Sequence, residues 1–363
     1  MAESDLSSKR DAFIERLVES LRGTFDIFSA YIGVKLGLYE SLAEAGPSTS
    51  VELASRTSTH ERYIREWLEQ QAVTGILDVD DEKAAATARR FSLPEAHAEV
   101  LVDRESLNYL APLPQLLVGA VSPLRRLLEA YRKGGGVPYA DYGDDMVKGQ
   151  EGINRTMFLQ ELGKVWLPAI TDLHQRLESD PPGRVADVGC GTGWSAIGIA
   201  QSYPKVRVDG FDLDEASVEI ARANRREAGL SDRVEFHVRD AADPKLAGRY
   251  DLVTAFECIH DMSRPVEGLK AMRSLAGDDG TVLVVDERVG EEFSTKENGI
   301  DWMMYGWSIL HCLPVGKVDE PSAETGTVMR PPVFRRYAEE AGFKSVEILP
   351  IESLFFRFYR LIP

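Results

Sequence analysis

The sequence predicts an α/β protein in which a mostly parallel β-sheet, covered by helices on both faces, follows an all-helical N-terminal domain. Strand and helix patterns alternate after the boundary Asp180-Pro181-Pro182-Gly183, and such alternation indicates a parallel sheet. Two strand patterns, 345–350 and 354–361, close the chain and lie too near each other for a crossover helix. We therefore expect one antiparallel hairpin strand at the C-terminal end of the sheet.

The first hundred residues have the pattern of a winged helix. Apolar residues recur at three- and four-residue steps over 9–44, which predicts helix. Thr49 and Glu52 form a capping box that opens a short helix over 51–55, and Ser58 and Glu61 form a second box that opens a longer helix through about Val73. A short strand and the segment 90–93 then predict a β-wing.

The strand–helix alternation after residue 183 divides into strands at 184–188, 206–212, 234–239, 250–256 and 281–286, with helices between them.

We divide the chain into a winged-helix-like dimerisation domain (1–100), a helical linker or lid (101–180) and an α/β domain (181–363). The middle region contains the Gly- and Tyr-rich stretch 134–143, and irregular loops of this kind either cover a ligand or simply connect elements.

Charge disfavours nucleic acid as a partner. The 363 residues include 42 Lys plus Arg and 59 Asp plus Glu, a formal net charge of −17, and such a surface repels phosphate backbones. Residues 1–100 hold 11 basic against 18 acidic residues, a net −7. We expect this domain to pack and dimerise, while DNA binding by the winged helix stays open as an alternative.

Cysteine use and hydropathy favour a cytoplasmic protein. Only Cys190, Cys258 and Cys312 occur, which is no disulfide framework. The N-terminus lacks an apolar signal core, and no run of about 18 apolar residues occurs, so we expect neither a signal peptide nor a membrane span.

A glycine loop and two acidic strand ends predict a nucleoside site. Gly189, Gly191 and Gly193 lie between a strand and a helix, in a G-x-G-x-G order that differs from the G-x-G-x-x-G of dinucleotide binders. Asp212 ends the next strand, 19 residues after Gly193, where a carboxylate can accept both ribose hydroxyls. Asp240-Ala241 ends the third strand, where an adenine edge would lie. The ligand is therefore expected to be a nucleoside without pyrophosphate.

These motifs carry a resemblance. Residues 184–361 resemble a Rossmann-like class I S-adenosylmethionine-dependent methyltransferase through the segments 185–193, 210–214 and 239–241. With the winged helix, the whole chain resembles plant-type small-molecule O-methyltransferases and their bacterial relatives. The resemblance implies S-adenosyl-L-methionine as cofactor and a set of cofactor-binding residues: Asp187, Gly189, Cys190, Gly191, Gly193, Asp212, Leu213, Asp240, Ala241, Phe256 and Met157. Met157 ends a segment similar to the family's Phe-Asn-x-x-Met, with Ile153 in place of Phe, and simple core packing is its alternative role.

The candidate catalytic residue is His260, which follows the fourth strand of the alternation. A hydroxyl acceptor must lose a proton near the moment of methyl transfer, and histidine has the pKa, about 6.5, that suits a neutral-pH base. The family's His-Asp-Trp triplet matches His260, Asp261 and Met262, which implies that His260 is the general base. One of the family's orienting acids matches Asp286, and the other falls at Met329 and is absent.

Glu257 is a second candidate for orienting His260, or for holding the cofactor's amino group, and a solvated surface position is its alternative. The alternative for His260 is a purely local hydrogen-bonding role, and that for Asp286 is a helix cap.

The segment 302–314 is rich in aromatic residues and methionine, which suits a flat apolar ligand. The resemblance implies that it lines the substrate pocket, with Trp302, Met303, Tyr305 and His311 as substrate-binding residues. Ordinary packing or a dimer interface is the alternative. His311 and Cys312 are adjacent and therefore poor joint metal ligands, so we expect no metal.

Together these observations predict a methyltransferase that methylates a small, largely apolar or aromatic molecule, at oxygen, and that forms a homodimer. Three alternatives stay open: N- or C-methylation, a non-methylating reaction on the same scaffold, and a cofactor-sensing winged-helix regulator.

Overall fold

The computed structural model describes residues 2–240, 250–296 and 299–363. The chain divides into two compact units, Met1–Val118 with Lys148–Thr156, and Gly119–Val147 with Met157–Pro363. Residues 101–180 thus contribute to both units, and the three-domain division made from the sequence stays a prediction.

Within the N-terminal region, three helices are followed along the chain by a two-stranded wing. Their bounds are α1 (Ala2–Lys35), α2 (Leu38–Ala45), α3 (Ser50–Arg56), α4 (Glu61–Val73), β1 (Asp78–Val79), β2 (Phe91–Ser92), α5 (Glu95–Leu101) and α6 (Pro112–Val121). Strands β1 and β2 pair antiparallel, which confirms the predicted wing.

Two local predictions for this region are wrong. The helical pattern over 9–44 is two helices, because Gly37 adopts φ +66° between α1 and α2, a conformation that glycine tolerates best. The N-cap of α4 is His60, whose side chain accepts a hydrogen bond from the amide of Arg62. Ser58 lies before it with φ +54°. The capping box of Thr49 and Glu52 at α3 is confirmed.

The core of this unit joins α2, α3 and α4 to the C-terminal turns of α1. The Trp67 indole donates to the carbonyl of Ser29 at 2.8 Å, and the Tyr39 ring meets Trp67 edge-on at 5.2 Å. Gly33 is required here because a Cβ would lie 2.5 Å from the Tyr39 ring. The rest of α1 leaves large apolar side chains exposed, among them Phe13, Ile14, Leu17, Val18, Leu21 and Phe25.

The second unit is built on a seven-stranded sheet with order β5-β4-β3-β6-β7-β9-β8. The strands are β3 (Arg184–Val188), β4 (Arg207–Asp212), β5 (Val234–Val238), β6 (Leu252–Phe256), β7 (Thr281–Glu287), β8 (Ser345–Ile348) and β9 (Phe356–Ile362). β9 pairs antiparallel with its neighbours, β7 and β8, while the described pairings among β3 to β7 are parallel. The predicted α/β class with one antiparallel C-terminal strand is confirmed.

Helices pack on both faces of this sheet: α9 (Thr171–Glu178), α10 (Trp194–Ser202) and α11 (Glu215–Glu227) contribute to one apolar cluster, and α12 (Pro265–Ala276) and α15 (Pro331–Glu340) to the other. The remaining helices after α6 are α7 (Leu124–Lys133), α8 (Gly143–Met157), α13 (Asp301–Trp307) and α14 (Leu313–Gly316), with 3₁₀ turns at Tyr139–Tyr142 and Ile259–Asp261 and π-helical stretches at Phe158–Trp166 and Ser308–Cys312. Consecutive residues of β3 belong to different apolar clusters, Val185 to one and Ala186 to the other. This two-sided burial explains why the strands are almost uniformly apolar.

The parallel strands β3, β4, β6 and β7 end at the same edge of the sheet, so the residues that follow them are brought together there. No helix in the described part of the chain is both long and apolar enough to cross a membrane.

The capping assignment gives a testable prediction. Thr49→Ala removes the acceptor for the amide of Glu52 and should cost about 1 kcal/mol locally. Hydrogen exchange of the α3 amides, followed by mass spectrometry, should accelerate about fivefold. Ser58→Ala is the matched control, since Ser58 is exposed and caps no helix; equal acceleration of exchange in α4 would restore Ser58 as a cap.

Candidate functional site

The three glycines of the predicted loop all have positive φ: +70° at Gly189, +50° at Gly191 and +86° at Gly193. Packing forbids a side chain at two of them, because a Cβ would lie 2.6 Å from the Cys258 Sγ at Gly189 and 2.5 Å from the Phe236 ring at Gly193. At Gly191 nothing lies within 4 Å of that position. Gly191 is therefore the glycine whose backbone faces open space.

Asp212 holds this loop in place. Its carboxylate accepts hydrogen bonds from the amide of Gly191 at 2.8 Å and from the amide of Asp214 at 2.9 Å. Burial raises the pKa of Asp212 although these bonds oppose the shift. Leu213, the next residue, is 63% exposed. The end of β4 thus offers a carboxylate and an apolar surface side by side.

Asp187 is buried at the end of β3. One carboxylate oxygen accepts from the Ser195 hydroxyl at 2.5 Å and the other from the Thr254 hydroxyl at 2.7 Å. Burial raises the pKa of Asp187 to about 6, and the two hydrogen bonds limit the rise. With both oxygens used inside the protein, Asp187 can influence a ligand through the loop that follows it.

The predicted cofactor residues at the ends of β5 and β6 have different surroundings. Asp240 forms an ion pair with Arg264 at 3.0 Å, and Ala241 lies outside the described residues. The Phe256 ring is buried and meets the ring of Phe158 edge-on at 5.2 Å.

Cys190 and Met157 have apolar neighbours. Cys190 is buried, and burial raises the pKa of its thiol, so a reactive thiolate is disfavoured. Met157 packs against the same apolar cluster as Phe158, which is consistent with its alternative role in packing.

His260 lies among three carboxyl groups. Its Nδ1 is 2.8 Å from Asp286 Oδ1 and 3.1 Å from Glu287 Oε2, and its Nε2 is 3.2 Å from Asp261 Oδ1. Only 2% of the His260 surface is exposed. The predicted contact between His260 and Asp286 is therefore present, and two further acids accompany it.

These neighbours determine the charge of the ring. Burial alone would lower the pKa of His260, but the carboxyls of Asp286, Glu287 and Asp261 together raise it well above its ordinary value. Burial and the adjacent Asp286 raise the pKa of Glu287 well above its ordinary value, so Glu287 retains its proton most readily. Burial alone would raise the pKa of Asp286, but the contact with His260 and the hydrogen bonds from Glu287 together lower it.

Glu287 and Asp261 are the residues that sequence reasoning missed. Met329, where the second orienting acid was sought, is buried in the apolar core, and Glu287 supplies an acid from the strand that carries Asp286. Strand alternation predicts that neighbouring side chains point to opposite faces, so no sequence pattern indicated that both acids reach one imidazole.

Glu257 has a strained backbone. Its φ is +51°, which is uncommon for a residue other than glycine and is concentrated at functional sites. Its amide donates to the carbonyl of Val285 at 2.9 Å, which fixes the end of β6 beside β7.

The Gly- and Tyr-rich stretch packs against the predicted substrate segment. The rings of Tyr139 and Tyr142 meet the His311 ring edge-on at 5.7 and 4.6 Å. The Tyr142 hydroxyl donates to the carbonyl of Leu310 at 2.9 Å, and the amide of Val137 donates to the carbonyl of Pro314 at 2.9 Å. Residues 137–142 therefore cover residues 310–314.

His311 differs from His260 in charge. Burial lowers the pKa of His311, so its ring is neutral at neutral pH. Its Nε2 is buried and has no hydrogen-bond partner among the described residues. Of the other predicted substrate residues, Trp302 and Tyr305 are exposed and Met303 is half-buried, so the four do not share one environment.

Metal-ligand types also meet at His260. The His260 ring, the Asp261 carboxylate and the Cys312 Sγ have ligand atoms within 4.8 Å of one another. Burial alone would raise the pKa of the Asp261 carboxyl, but the nearby His260 and, to a smaller extent, His311 and Cys312 lower it.

Two family models match the chain. The model described as "Methyltransferase domain" matches residues 179–312, and that described as "Rv2258c-like winged HTH domain" matches residues 27–103.

Curated relatives match over parts of the chain. The ajmaline N-methyltransferase of Rauvolfia serpentina is 28% identical over 120 residues, which are 33% of this chain and 40% of the relative. The ubiquinone biosynthesis O-methyltransferase of Aromatoleum aromaticum is 28% identical over 168 residues, 46% of this chain and 66% of the relative. The chain thus spans less than two thirds of these relatives.

Solved structures share the fold over nearly the whole chain. Human N-acetylserotonin methyltransferase in complex with SAM has a TM-score of 0.72 at 16% identity, covering 96% of this chain and 97% of that chain. The mitomycin 7-O-methyltransferase MmcR has a TM-score of 0.70 at 21% identity, covering 98% and 99%. An O-methyltransferase from neocarzinostatin biosynthesis, NcsB1, in complex with SAH and 1,4-dihydroxy-2-naphthoic acid, has a TM-score of 0.63 at 17% identity, covering 93% and 95%.

The loop geometry predicts that its glycines differ in their tolerance of a side chain. Gly191→Ala should cost about 1–2 kcal/mol, the penalty of a left-handed backbone. Gly193→Ala should cost about 1–3 kcal/mol more, because its methyl group also overlaps the Phe236 ring. Urea unfolding followed by circular dichroism would measure both; equal losses of stability would contradict the assignment of Gly191 to open space.

Proposed function

Because the chain joins a winged helix-turn-helix domain to a methyltransferase domain with the fold of O-methyltransferases, we propose that it transfers a methyl group from S-adenosylmethionine to a small, largely apolar or aromatic molecule, at oxygen. One observation carries this proposal. The glycine loop, which is bound by the Asp212 carboxylate, and the His260 cluster both follow parallel strands at the same edge of the sheet.

The residues at this edge fit S-adenosylmethionine. The backbone at Gly191 faces open space, so a ligand can approach it without meeting a side chain. Asp212 retains acceptor capacity for ribose hydroxyls beside the two amides that it binds, and exposed Leu213 offers an apolar surface for a base. The cofactor supplies a methyl group on a sulfonium, an excellent leaving group, so the protein has to align the acceptor and accept its proton.

The acceptor would lie near His260 under the covering stretch. Tyr139, Tyr142 and His311 give that region aromatic walls with few polar groups, which suits a flat molecule. His260 as general base requires the neutral ring, and the carboxyls around it favour the charged ring.

N-methylation is the alternative that a specific observation favours, since the ajmaline N-methyltransferase is among the relatives. C-methylation, a non-methylating reaction on this scaffold and a DNA-binding sensor have less support. On α4, Arg62 and Arg65 are paired with Glu66 and Glu61, so the candidate reading helix offers little free positive charge to phosphates.

We propose a second copy of this chain as the partner. The stripe of Phe13, Leu17, Leu21 and Phe25 lies on one side of α1, and each of these side chains is exposed by half or more. Exposed apolar stripes of this extent mark protein interfaces, and a twofold contact between two such helices would bury both stripes.

The ribose assignment predicts the effect of Asp212→Asn. The change removes the charge but keeps the shape, and the loss of a charge-assisted hydrogen bond should weaken S-adenosylhomocysteine binding about 10- to 100-fold. Isothermal titration calorimetry would measure it, with exposed Asp232→Asn as control. Unchanged affinity in Asp212→Asn would remove Asp212 from the cofactor site.

The interface proposal predicts the effect of Leu17→Glu. A charge in the apolar stripe should convert a dimer to monomer at micromolar concentration, because it would be buried without a partner. Sedimentation velocity would measure this. Glu19→Lys, on the opposite side of α1, is the control and should leave the dimer intact; a wild-type chain that sediments as a monomer would refute the proposal.

A further inference from the structure

Two acids at consecutive positions of β7 reach the same nitrogen of His260. Asp286 Oδ1 lies 2.8 Å from Nδ1, and Glu287 Oε2 lies 3.1 Å from it. Asp286 Oδ1 also accepts a hydrogen bond from the amide of Glu287 at 3.0 Å. Both side chains are more than nine-tenths buried, so two full negative charges at this one nitrogen would be costly.

Each of the two carboxyl groups has a buried oxygen, Asp286 Oδ2 and Glu287 Oε2, for which the described residues supply no hydrogen-bond donor. Buried polar atoms in folded proteins nearly always have a partner. The two side chains lie within hydrogen-bond reach of each other, but two ionised carboxylates cannot bond because each only accepts. A proton on one of them supplies the missing donor.

Glu287 is the better holder of this proton. Asp286 already accepts from the His260 ring and from a backbone amide, and both donors stabilise its ionised form. The single N–H at His260 Nδ1 is used by Asp286 and is not available to Glu287. Burial and the neighbouring Asp286 also raise the pKa of Glu287.

We propose that Glu287 is a protonated positioning residue: its carboxyl donates a hydrogen bond to the Asp286 carboxylate, so that the pair at His260 Nδ1 holds one negative charge instead of two. The inference rests on the proposed function and concerns the base within it.

A single negative charge at Nδ1 suits the role of His260 as the base. Asp286 accepts the Nδ1 proton, which leaves the lone pair of the neutral ring on Nε2. Two ionised acids at Nδ1 would stabilise the imidazolium so strongly that the ring would hold a second proton before an acceptor arrived. With Glu287 neutral, Asp286 still orients the ring, and the ring can gain and lose a proton near neutral pH.

The proton count closes within this arrangement. During methyl transfer the acceptor's O–H bond breaks and its proton goes to His260 Nε2. The C–O bond forms, and the electron pair of the breaking C–S bond stays on sulfur. The Nδ1 proton stays directed at Asp286 and the Glu287 proton stays on the pair, so the imidazolium is balanced by one charge. Release of the Nε2 proton to water restores the neutral ring.

Other titratable groups near the pair are bonded elsewhere or keep their protons. Arg357 lies opposite Asp286 on β9, and its guanidinium donates to the carbonyl of Val289 at 2.9 Å. The Cys258 thiol, after β6, donates to the carbonyl of Val188 at 3.3 Å, and burial raises its pKa. Burial likewise raises the pKa of Tyr359, on β9, to about 12.

The groups on the Nε2 side of the ring do not depend on Glu287. Asp261 Oδ1 lies 3.2 Å from Nε2, and His311 and Cys312 lie near Asp261. Burial raises the pKa of Cys312 to about 12 and lowers that of His311, so both are neutral. A substitution at Glu287 therefore reports the charge of Glu287 itself.

The proton on Glu287 can be observed without substrate. At neutral pH, the infrared spectrum of the wild type minus that of Glu287→Gln should contain the carbonyl band of a protonated carboxylic acid, which a carboxylate does not give. Exposed Glu339→Gln is the matched control and should give no such band. Absence of the band from the Glu287→Gln difference spectrum would overturn the proposal.

Turnover supplies the second arm. Glu287→Ala removes the donor to Asp286 and should reduce kcat about 10- to 100-fold, the effect of one hydrogen bond to a charged group. Glu287→Gln, whose amide can donate in place of the hydroxyl, should recover most of this loss. Thermal unfolding and the affinity for S-adenosylhomocysteine would separate loss of the fold from loss of chemistry. Equal kcat in the two variants, both folded and able to bind, would refute the donor role.

The pH profile tests the charge directly. Because the neutral ring is the base, kcat should rise with pH as His260 loses its proton. If Glu287 is protonated, Glu287→Gln changes no charge, and the midpoint of this rise should stay within about half a unit of the wild-type value. An ionised Glu287 would stabilise the imidazolium, so its replacement would move the midpoint to lower pH by about one unit or more, and that shift would overturn the proposal. Failure of the proposed function is distinct, since S-adenosylmethionine would then not bind while the infrared band remained.

Discussion

Compensation of buried carboxyl groups is the constraint on which the candidate site depends. Parallel strands bring Asp187, Asp212 and Asp286 to one edge of the sheet, where Asp187 and Asp286 are buried and Asp212 is half-buried, so protein groups must replace much of the stabilisation that water would give their charges. The three are stabilised differently: Asp187 by two hydroxyls, Asp212 by two backbone amides and Asp286 by His260. Each of these hydrogen-bond arrangements also fixes part of the backbone. The bonds that stabilise the acids therefore also determine the conformation of the loop and of the strand ends around them.

These hydrogen-bond arrangements leave the three carboxylates with different acceptor capacity for a ligand. The hydroxyls occupy both oxygens of Asp187, so this residue contributes to structure. The amides leave lone pairs on Asp212, which faces the loop whose central glycine borders open space. An excess of acids at this edge favours a cationic or hydroxyl-rich ligand over an anionic one, which is consistent with a sulfonium nucleoside and argues against acceptors that carry a phosphate.

Local patterns predicted the fold well because the relevant signals are local. The strand from 184 to 188, the helix from 194 to 202, the antiparallel hairpin of the last two strands and the cap at Thr49 follow from periodicity and turn chemistry. The predictions that were wrong or incomplete depend on tertiary contacts. Gly37 interrupts a continuous apolar pattern through its backbone conformation, and Glu287 replaces the acid sought at Met329 because the end of β7 lets neighbouring side chains reach one ring. No spacing rule contains that information.

The two buried histidines show that residue type and burial alone do not determine the pKa of a side chain. His260 and His311 are both more than nine-tenths buried, yet the carboxyls of Asp286, Glu287 and Asp261 raise the pKa of the first well above its ordinary value, while burial lowers the pKa of the second. An acceptor bound between them would meet a charged, acid-rich side and a neutral, aromatic side. That polarity would orient an acceptor with its hydroxyl toward the His260 cluster and its apolar body toward Tyr139 and Tyr142, so charge selects the reacting atom and packing selects the molecule.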